Sequence, residues 1–325
     1  MPEAGDVRGA ASGLRIIFMG TSPLSRACLQ AILEQPGLRV AAVVTQPDRA
    51  KGRSLSVQPS PAKELAILRN LPVLQPEKAR DEHFIAGLEK LAPDLILVAA
   101  YGHILPPAIL QLPRFGCLNV HMSLLPKYRG AAPIQWALLN GDAVTGVTIM
   151  KMDAGMDTGD ILAQTSTPIL PADDAQTLHD RLACLGAELL VGTIPEYVAG
   201  RIQPRPQPAD GVSHAPKIKK EDGRIDWSQS ARAIGNRVRA FTPWPGAFTF
   251  FSAEPRKLLL KLWKVEVAEG SGDPGTVVAS GKRGVLVACG QAALRILELQ
   301  IEGGRRMSAQ EFLAGHSFQP GQRLG

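Results

Sequence analysis

The sequence has few cysteines and no long apolar runs, and each shortage excludes a class of protein. Its 325 residues contain only Cys28, Cys117, Cys184 and Cys289, which are widely separated and form no CxxC pair. A disulfide-stapled scaffold and a structural zinc site are therefore not predicted, and we expect four thiols that are buried or without function. No apolar run reaches the ~18–20 residues that a membrane-spanning helix requires.

The first residues also lack the apolar segment of a secretory signal peptide. Residues 1–13, MPEAGDVRGAASG, are predicted to be a disordered tail, and the cytoplasm is the expected compartment. The chain is long for one domain, and 45% of its residues are hydrophobic and 20% charged. We therefore expect two globular domains with sizeable cores.

Positive charge is unevenly distributed along the chain. Residues 1–204 contain 18 Lys and Arg against 19 Asp and Glu, whereas residues 205–325 contain 18 against 11. The net charge of +6 therefore comes entirely from the last third of the chain. This asymmetry indicates either a polyanionic partner or a well-solvated basic surface, and charge alone does not decide between them.

Apolar strand-like runs alternate with helix-like segments over the first 200 residues. Strands are predicted at 14–20, 39–46, 94–100, 116–121, 146–152 and 160–169. Helices are predicted after residue 20, at 60–70, at 82–92, before 109 and at 174–200, with Pro195 as a candidate break in the last. The alternation predicts an α/β fold with a doubly wound, Rossmann-like, mostly parallel sheet, and the last two strands form a candidate hairpin at its edge.

The composition changes at QPRPQPADG, residues 203–211, where three prolines and a glycine favour a linker. A helix is predicted at 228–241 with Ser228 as its N-cap, followed by short strands separated by glycine turns. Such strands are typical of a small β-barrel of the OB-like kind. We therefore predict a first domain at 14–202, a linker at 203–215 and a C-terminal β-barrel domain at 216–325.

Three polar motifs follow predicted parallel strands, where ligands of open α/β sheets bind: GTS (20–22), AYGH (100–103) and NVHMS (119–123). Asn119 and His121 alternate along one strand and so share a face. An amide donor beside an imidazole suits acyl transfer, and Asp153, Asp157 or Asp160 could orient the imidazole. The alternative is a structural strand-end histidine beside a turn-forming asparagine.

Longer motifs resemble the 10-formyltetrahydrofolate-dependent formyltransferases, and among them the enzymes that act on methionyl-tRNA. The most specific are NVHMSLLPKYRGAAPIQWALLNGD (119–142) and TGVTIMKMDAGMDTGDIL (145–162). RIIFMGT, VTQPDRAKGRS, PSPAK, LPVLQP, VAAYGHILP, RIDWS, AFTPWPG and MSAQEFL follow the order of that family. The resemblance extends over nearly all of the chain from about Leu14.

The resemblance implies transfer of the formyl group of 10-formyltetrahydrofolate to the α-amine of methionine on initiator methionyl-tRNA, for translation initiation. The folate is a co-substrate, and no metal is implied. Matching residue by residue, the catalytic side chains are Asn119, His121 and Asp157. Asp153 is then a loop former, and Asp160 opens the next strand.

The resemblance also assigns binding residues. The folate site is implied to include Ser123, Leu124, Leu125, Pro126, Ala100, Tyr101 and Gly102. The resemblance implies that a loop at 47–56 contacts the tRNA, with Arg53 matching the key arginine. The composition of this loop predicts that it is mobile, and its basic residues Arg49, Lys51 and Arg53 can reach phosphates. Basic residues of the C-terminal domain, Lys217, Lys219, Lys220 and Arg237, are separately predicted to contact the RNA backbone. Met122 and the segment GTSPLS depart from the family pattern, which puts the shape of the folate pocket in doubt rather than the reaction. A monomer is expected.

Other functions share parts of this pattern. A formyltransferase acting on glycinamide ribonucleotide or a sugar nucleotide, or a formyltetrahydrofolate hydrolase, would share the three catalytic residues but would not need the basic loop or the basic C-terminal third. A nucleotide-binding oxidoreductase is disfavoured because MGTSPLS lacks the GxGxxG spacing. A pure RNA-binding protein would not need Asn119, His121 and Asp157.

Overall fold

The computed structural model describes residues 13–51, 56–253 and 256–325. The predicted tail therefore lies outside the described residues except for Gly13. The chain divides into two compact units: the first comprises the segment ending at Gly130, Gly146–Ser166 and Asp180–His214, and the second comprises Ala131–Thr145, Thr167–His179 and Ala215–Gly325. The domain bounds drawn from the sequence stay a prediction. Within the described residues, no helix is long and apolar enough to cross a membrane.

Strands and helices alternate through the first 200 residues, as the apolar periodicity predicts. The elements are β1 (Leu14–Gly20), α1 (Pro23–Leu33), β2 (Leu38–Val44), β3 (Arg49–Lys51), β4 (Ser56–Gln58), α2 (Pro61–Leu68), β5 (Val73–Leu74), α3 (Glu82–Lys90), β6 (Leu95–Ala99), α4 (Pro107–Leu110), β7 (Cys117–His121), α5 (Pro133–Leu139), β8 (Val144–Lys151), β9 (Asp160–Pro168) and α6 (Ala175–Val198). The segment 47–56, predicted as a loop, instead contributes β3 and the start of β4, which pair antiparallel.

Seven of these strands form one sheet in the order β5-β2-β1-β6-β7-β8-β9. The strands from β5 to β7 are parallel, and β8 pairs antiparallel with β7. The predicted mostly parallel sheet with β8 and β9 at its edge is confirmed. The chain order changes direction between β1 and β6, so a ligand-binding crevice is expected where these two strands end.

Short polar residues cap α2 and α3 of this unit. The side chain of Ser60 accepts a hydrogen bond from Lys63 N at 3.2 Å, and that of Asp81 accepts one from Phe84 N at 2.9 Å. The candidate break at Pro195 is wrong, because α6 runs through it. Leu190 and Ile194 are fully buried beside the proline, and their packing outweighs the one backbone hydrogen bond that proline removes.

The C-terminal part of the chain forms a small antiparallel barrel. After a 3-10 turn at Lys220–Gly223, its elements are α7 (Ala231–Ala240), β10 (Ala247–Ala253), β11 (Arg256–Ala268), β12 (Val277–Gly281), β13 (Gly284–Ala288), β14 (Ala293–Ile301), β15 (Met307–Ser308) and α8 (Ala309–Gly315). The sheet order is β10-β11-β14-β13-β12, with β15 paired to β14. The last residues close it, since Leu324 bridges to Phe251 and Arg323 bridges to Thr276. The predicted β-barrel is confirmed.

The N-cap of α7 was placed wrongly from the sequence. Ser230, not Ser228, accepts the capping hydrogen bond from Ala233 N at 3.2 Å. Ser228 instead donates through its hydroxyl to Asp226 Oδ1 at 2.6 Å. Serine is a preferred N-cap residue at either position. The residue at which α7 begins is therefore set by contacts that the local sequence does not contain.

Three of the four cysteines are buried, and Cys184 in α6 is exposed. Burial raises the pKa of Cys28 and of Cys117 to about 12, and mainly burial raises the pKa of Cys289 to about 11. The thiolate is the reactive form of cysteine. These three thiols are therefore expected to react slowly, because they are buried and because they stay protonated.

We therefore expect a thiol reagent at pH 8 to modify one cysteine of the native protein quickly, and that one to be Cys184. The reaction is followed by the absorbance of the released thiolate, with the unfolded protein giving the total. Cys184→Ser should remove the fast phase and leave the thermal unfolding midpoint unchanged. A fast phase that survives in this variant would contradict the assignment.

Candidate active site

Asn119 and His121 lie at the exit of β7, in the interior of the sheet. Asn119 pairs with Val98 of β6 and Met150 of β8, and His121 pairs with Thr148 of β8. The Asn119 side chain is half-buried, and its amide makes no hydrogen bond to any residue that the structure describes. The amide is thus an available donor on the strand face that also carries the histidine.

The His121 ring is buried, at 5% exposure, between two oxygen atoms. Its Nε2 lies 2.9 Å from the carbonyl oxygen of Tyr128, and its Nδ1 lies 3.6 Å from Oδ2 of Asp157. A backbone carbonyl only accepts hydrogen bonds, so this geometry requires the proton on Nε2. The contact to Asp157 is longer than a hydrogen bond, and it is an ion pair only when the imidazole carries a proton on both nitrogens.

Asp157 is held in place by its own contacts. Its Oδ2 accepts a hydrogen bond from Gly130 N at 2.8 Å, and its φ of +53° is in the left-handed region. Gln207 donates to the carbonyl oxygens of Asp157 and Gly159, both at 2.8 Å. The carboxylate that faces His121 is therefore positioned from two sides.

The other two aspartates of this segment have different surroundings. Asp153 accepts hydrogen bonds from Gly155 N at 3.0 Å and from the hydroxyl of Thr158 at 2.7 Å, which shapes the loop. Asp160 begins β9. Of the three candidates, Asp157 is the one in contact with the histidine.

The segment after His121 folds back over the imidazole. The Ser123 hydroxyl donates to Lys127 O at 2.6 Å, and the N–H of Tyr128, whose φ is +63°, donates to the Ser213 hydroxyl at 2.9 Å. Thr148 donates to Ser123 O at 2.7 Å and accepts from Leu125 N at 3.1 Å. These contacts fix the carbonyl that His121 faces.

Sequence reasoning missed several of these supporting residues. They are Tyr128, Thr148, Gln164, Gln207 and Ser213. Gln207 and Ser213 lie in the segment predicted as a linker, where proline-rich composition concealed a role in positioning. Thr148, Gln164, Gln207 and Ser213 were not identified because their cited contacts join residues at least 25 positions apart, and Tyr128, seven positions from His121, acts through its backbone carbonyl, which no side-chain pattern reports.

The predicted folate residues lie at two strand exits of the first unit. Ala100 and Gly102 are exposed, with φ +46° and +81°, while Tyr101 is buried at 1% exposure. Burial raises the pKa of Tyr101 to about 12, and its hydroxyl has no hydrogen-bond partner within the described residues.

At the second exit, Ser123 and Leu125 are buried, and Leu124 and Pro126 are half-buried. Met122, which departs from the family pattern, is also buried, at 7% exposure.

The GTSPLS segment joins β1 to the switch point. Ser22 begins α1, and its N–H donates to the hydroxyl of Ser25 at 2.9 Å. The Ser25 hydroxyl donates in turn to Ala99 O at 2.6 Å, at the end of β6. This departure from the family pattern therefore supports the backbone beside Ala100.

The predicted tRNA-binding residues differ in what surrounds them. Arg53 lies outside the described residues, and Arg49 and Lys51 form the two ends of β3. Lys217, Lys219 and Lys220 are exposed and form no ion pair within the described part of the chain. Arg237 is half-buried: its guanidinium donates to Asp222 O and lies 5.5 Å from the ring centroid of Phe241.

The site is built without a cluster of metal ligands. Over the described ranges, no group of three or more His, Cys, Asp or Glu side chains is placed to hold a metal ion.

Comparison with known sequences gives full-length relatives. The family model described as "Formyl transferase" matches residues 14–194, and "Formyl transferase, C-terminal domain" matches residues 217–317. The methionyl-tRNA formyltransferase of Geobacter metallireducens is 51% identical over 314 residues, covering 97% of this chain and 99% of that protein. The enzyme of the same name from Myxococcus xanthus is 49% identical, and the match covers 95% of this chain and 97% of that protein.

Solved structures show the same fold at low sequence identity. WlaRD, a sugar 3N-formyl transferase crystallised with dTDP and 5-N-formyl-THF, has a TM-score of 0.63 at 18% identity, covering 90% of this chain and 99% of its own. HypX from Aquifex aeolicus in complex with tetrahydrofolic acid has a TM-score of 0.59 at 20% identity, and the match covers 95% of this chain and 49% of HypX. On the sequence matches, the chain belongs to the formyltransferase family and, within it, to the methionyl-tRNA formyltransferases.

Proposed function

We propose that the chain transfers the formyl group of 10-formyltetrahydrofolate to the α-amine of methionine on initiator methionyl-tRNA, giving formylmethionyl-tRNA. The observation that carries this proposal is the pairing of an unpartnered Asn119 amide with a buried His121 that faces Asp157 at 3.6 Å, all among the described residues. Donors of this kind stabilise the negative charge that develops on a carbonyl oxygen during acyl transfer. Membership of the methionyl-tRNA formyltransferases supports the choice of donor and acceptor.

The three side chains take distinct roles. The amide of Asn119 donates to the formyl oxygen as charge develops on it, and His121 supplies positive charge beside that oxygen when the ring carries both protons. Asp157 stabilises the charged imidazole and fixes its orientation. The amine attacks the formyl carbon directly. Collapse of the tetrahedral intermediate breaks the bond between that carbon and N10 and releases tetrahydrofolate, while the proton of the amine passes to N10 through His121 or a water. Direct attack fits a Ser123 hydroxyl that is fully buried and donates to Lys127 O. An acyl-enzyme on this serine is therefore not part of the proposal.

The residues at the two strand exits fit a folate. The folate supplies the formyl carbon, and a flat pterin suits a largely apolar wall with backbone polar groups. Ile104, four-fifths exposed, offers such a surface after the Ala100–Gly102 turn, together with the half-buried Leu124. We propose that Ala100, Tyr101 and Gly102 form one wall. Ser123, Leu124, Leu125 and Pro126 form the other.

Two basic regions are proposed to hold the tRNA. Arg49, Lys51 and Arg53 form one, on β3 and the residues that follow it. Lys217, Lys219, Lys220 and Arg237 form the other, in the basic last third of the chain. The exposed lysines are suited to phosphate contacts, whereas Arg237 has part of its hydrogen-bonding capacity committed to Asp222 O.

We also propose that the enzyme acts in the cytoplasm as a monomer. Charged tRNA is made and used in that compartment, and all three catalytic side chains come from one chain. Of the two readings of the charge asymmetry, this proposal takes the polyanionic partner, and that partner is the tRNA.

The acceptor is tested by offering donor labelled in its formyl carbon together with charged initiator tRNA, glycinamide ribonucleotide, an amino sugar nucleotide or water alone. We expect label to appear on methionyl-tRNA at a rate at least about 100-fold above that with the others, because a site that binds the acceptor discriminates strongly among amines. Preferential labelling of any other acceptor, or release of formate alone, would overturn the proposed function.

The role of Asn119 is tested by Asn119→Ala. Removal of one oxyanion donor should lower the single-turnover rate about 10²–10³-fold, equivalent to about 2.7–4 kcal/mol. Thermal unfolding should be unchanged, since the amide has no protein partner to lose within the described residues. Gln203→Ala, which removes an exposed amide that donates to Gly200 O, is the control and should keep the wild-type rate. Near-full activity of Asn119→Ala would show that this role is wrong.

The basic C-terminal region is tested by the salt dependence of tRNA binding. Replacement of Lys217, Lys219 and Lys220 by Gln should weaken binding and flatten the slope of log K against log salt by about one unit for each phosphate that is no longer neutralised. The binding constant is measured by filter retention or fluorescence at several salt concentrations. Lys90→Gln, at an exposed lysine of α3, is the matched control. An unchanged slope in the triple variant would place the tRNA elsewhere.

A further inference from the structure

Asp48, Lys63 and Gln75 form a closed ring of polar contacts that the catalytic roles do not use. The Lys63 ammonium pairs with Asp48 Oδ2 and donates to Gln75 Oε1 at 2.7 Å. Gln75 Nε2 donates to Asp48 Oδ1 at 3.0 Å. The Lys63 and Asp48 side chains are only 19% and 22% exposed. This ring is named here the Lys63 ring. It is a largely desolvated charge pair whose two members both bond to the amide of Gln75.

The Lys63 ring links the residue before β3 to the helix that follows β4. Asp48 directly precedes β3, and Lys63 lies in the first turn of α2, five residues after β4 ends. Ser60 caps that helix by accepting from Lys63 N. Gln75 follows β5, the edge strand of the main sheet. The two ends of a short strand pair are thus tied to each other and to the sheet.

A second set of contacts joins the Lys63 ring to the proposed folate wall. Gln75 Nε2 also donates to Gln46 O at 2.9 Å, and Gln46 Nε2 donates to Tyr101 O at 2.9 Å. A Cβ at Gly102 would lie 2.6 Å from Gln46 Nε2, so glycine at 102 permits this approach. The network therefore runs from the base of the β3–β4 pair to the Ala100–Gly102 turn.

We infer that Lys63, Asp48 and Gln75 are positioning residues, which hold the β3–β4 pair in a fixed place relative to the Ala100–Gly102 turn so that its basic residues engage the tRNA beside the formyl donor. This inference rests on the proposed function, in which Arg49, Lys51 and Arg53 contact tRNA. Lys63 itself is not a phosphate ligand, because its ammonium already pairs with Asp48 and donates to Gln75.

Lys63→Met removes the charge and the donor while keeping most of the apolar stem. It leaves the Asp48 carboxylate without its lysine and Gln75 Oε1 without a donor, which frees the β3–β4 pair to move. We expect KM for methionyl-tRNA to rise about 10-fold, while kcat at saturating tRNA stays within about twofold, since Asn119, His121 and Asp157 are untouched. Steady-state kinetics with tRNA varied at saturating folate measures both constants.

Conservative variants keep the test valid if Lys63→Met folds poorly. Lys63→Arg retains the charge and should restore KM at least halfway on a logarithmic scale, whereas Asp48→Asn should resemble Lys63→Met. Glu64→Gln is the matched control: Glu64 is the next residue of α2, and among the described residues its carboxylate contacts Arg26 alone, in an exposed pair at 3.7 Å. It should leave both constants unchanged. A loss in kcat rather than in KM, or no change in KM for Lys63→Met and Asp48→Asn, would overturn the inference.

A double-mutant cycle separates this inference from the proposed function. The second background replaces Arg49, Lys51 and Arg53 by Ala. If Lys63 acts through these residues, Lys63→Met should raise KM much less there than in the wild type. An equal rise in both backgrounds would show that Lys63 acts otherwise and would sink the inference alone. If the triple replacement itself leaves KM for tRNA unchanged, the proposed tRNA contact of this region fails, and the inference fails with it.

Discussion

The buried imidazole of His121 is the constraint on which the rest of the site depends. A polar ring without access to water needs a partner at each nitrogen, and the chain supplies the Tyr128 carbonyl and the Asp157 carboxylate. Both partners come from residues with positive φ, a conformation that costs an L-residue on the order of 1–3 kcal/mol. Hydrogen bonds from Gln207 and to Ser213 hold these two residues in place and offset that cost. Two of the six non-glycine residues with positive φ in the described part of the chain thus supply the partners of one ring.

The sequence was sufficient for the parts of the fold that local patterns determine. Each apolar run of the first domain became a strand within two residues of its predicted bounds, because a parallel sheet covered on both faces requires continuous apolar strands. Asn119 and His121 were identifiable for the same reason, since the exit of such a strand is where polar side chains reach a ligand. Asp157 needed more than pattern: the resemblance to the family selected it from three aspartates of one short segment.

What the sequence could not predict depends on contacts between distant residues. The segment at 203–213 has the composition of a linker, yet Gln207 and Ser213 support Asp157 and Tyr128 across 50 and 85 positions. A high content of proline and glycine indicates that a segment forms neither helix nor strand. It does not indicate which residues the segment packs against. The β3–β4 pair was missed for a related reason. Strands of three residues are too short to show a period.

The order of the strands separates the proposed catalytic residues from the Lys63 ring. Asn119 and His121 belong to β7, while Asp48 and Gln75 follow β2 and β5, on the other side of the switch point between β1 and β6. The turn after β6 lies between the two groups and receives the Gln46 hydrogen bond on its Tyr101 carbonyl. Substitutions along β2, β5 and α2 therefore alter the β3–β4 pair without moving the partners of His121. In the function proposed for this chain, the residues that position the tRNA contacts therefore lie toward the β5 edge of the sheet, and the side chains that act on the formyl group lie on β7 in its interior.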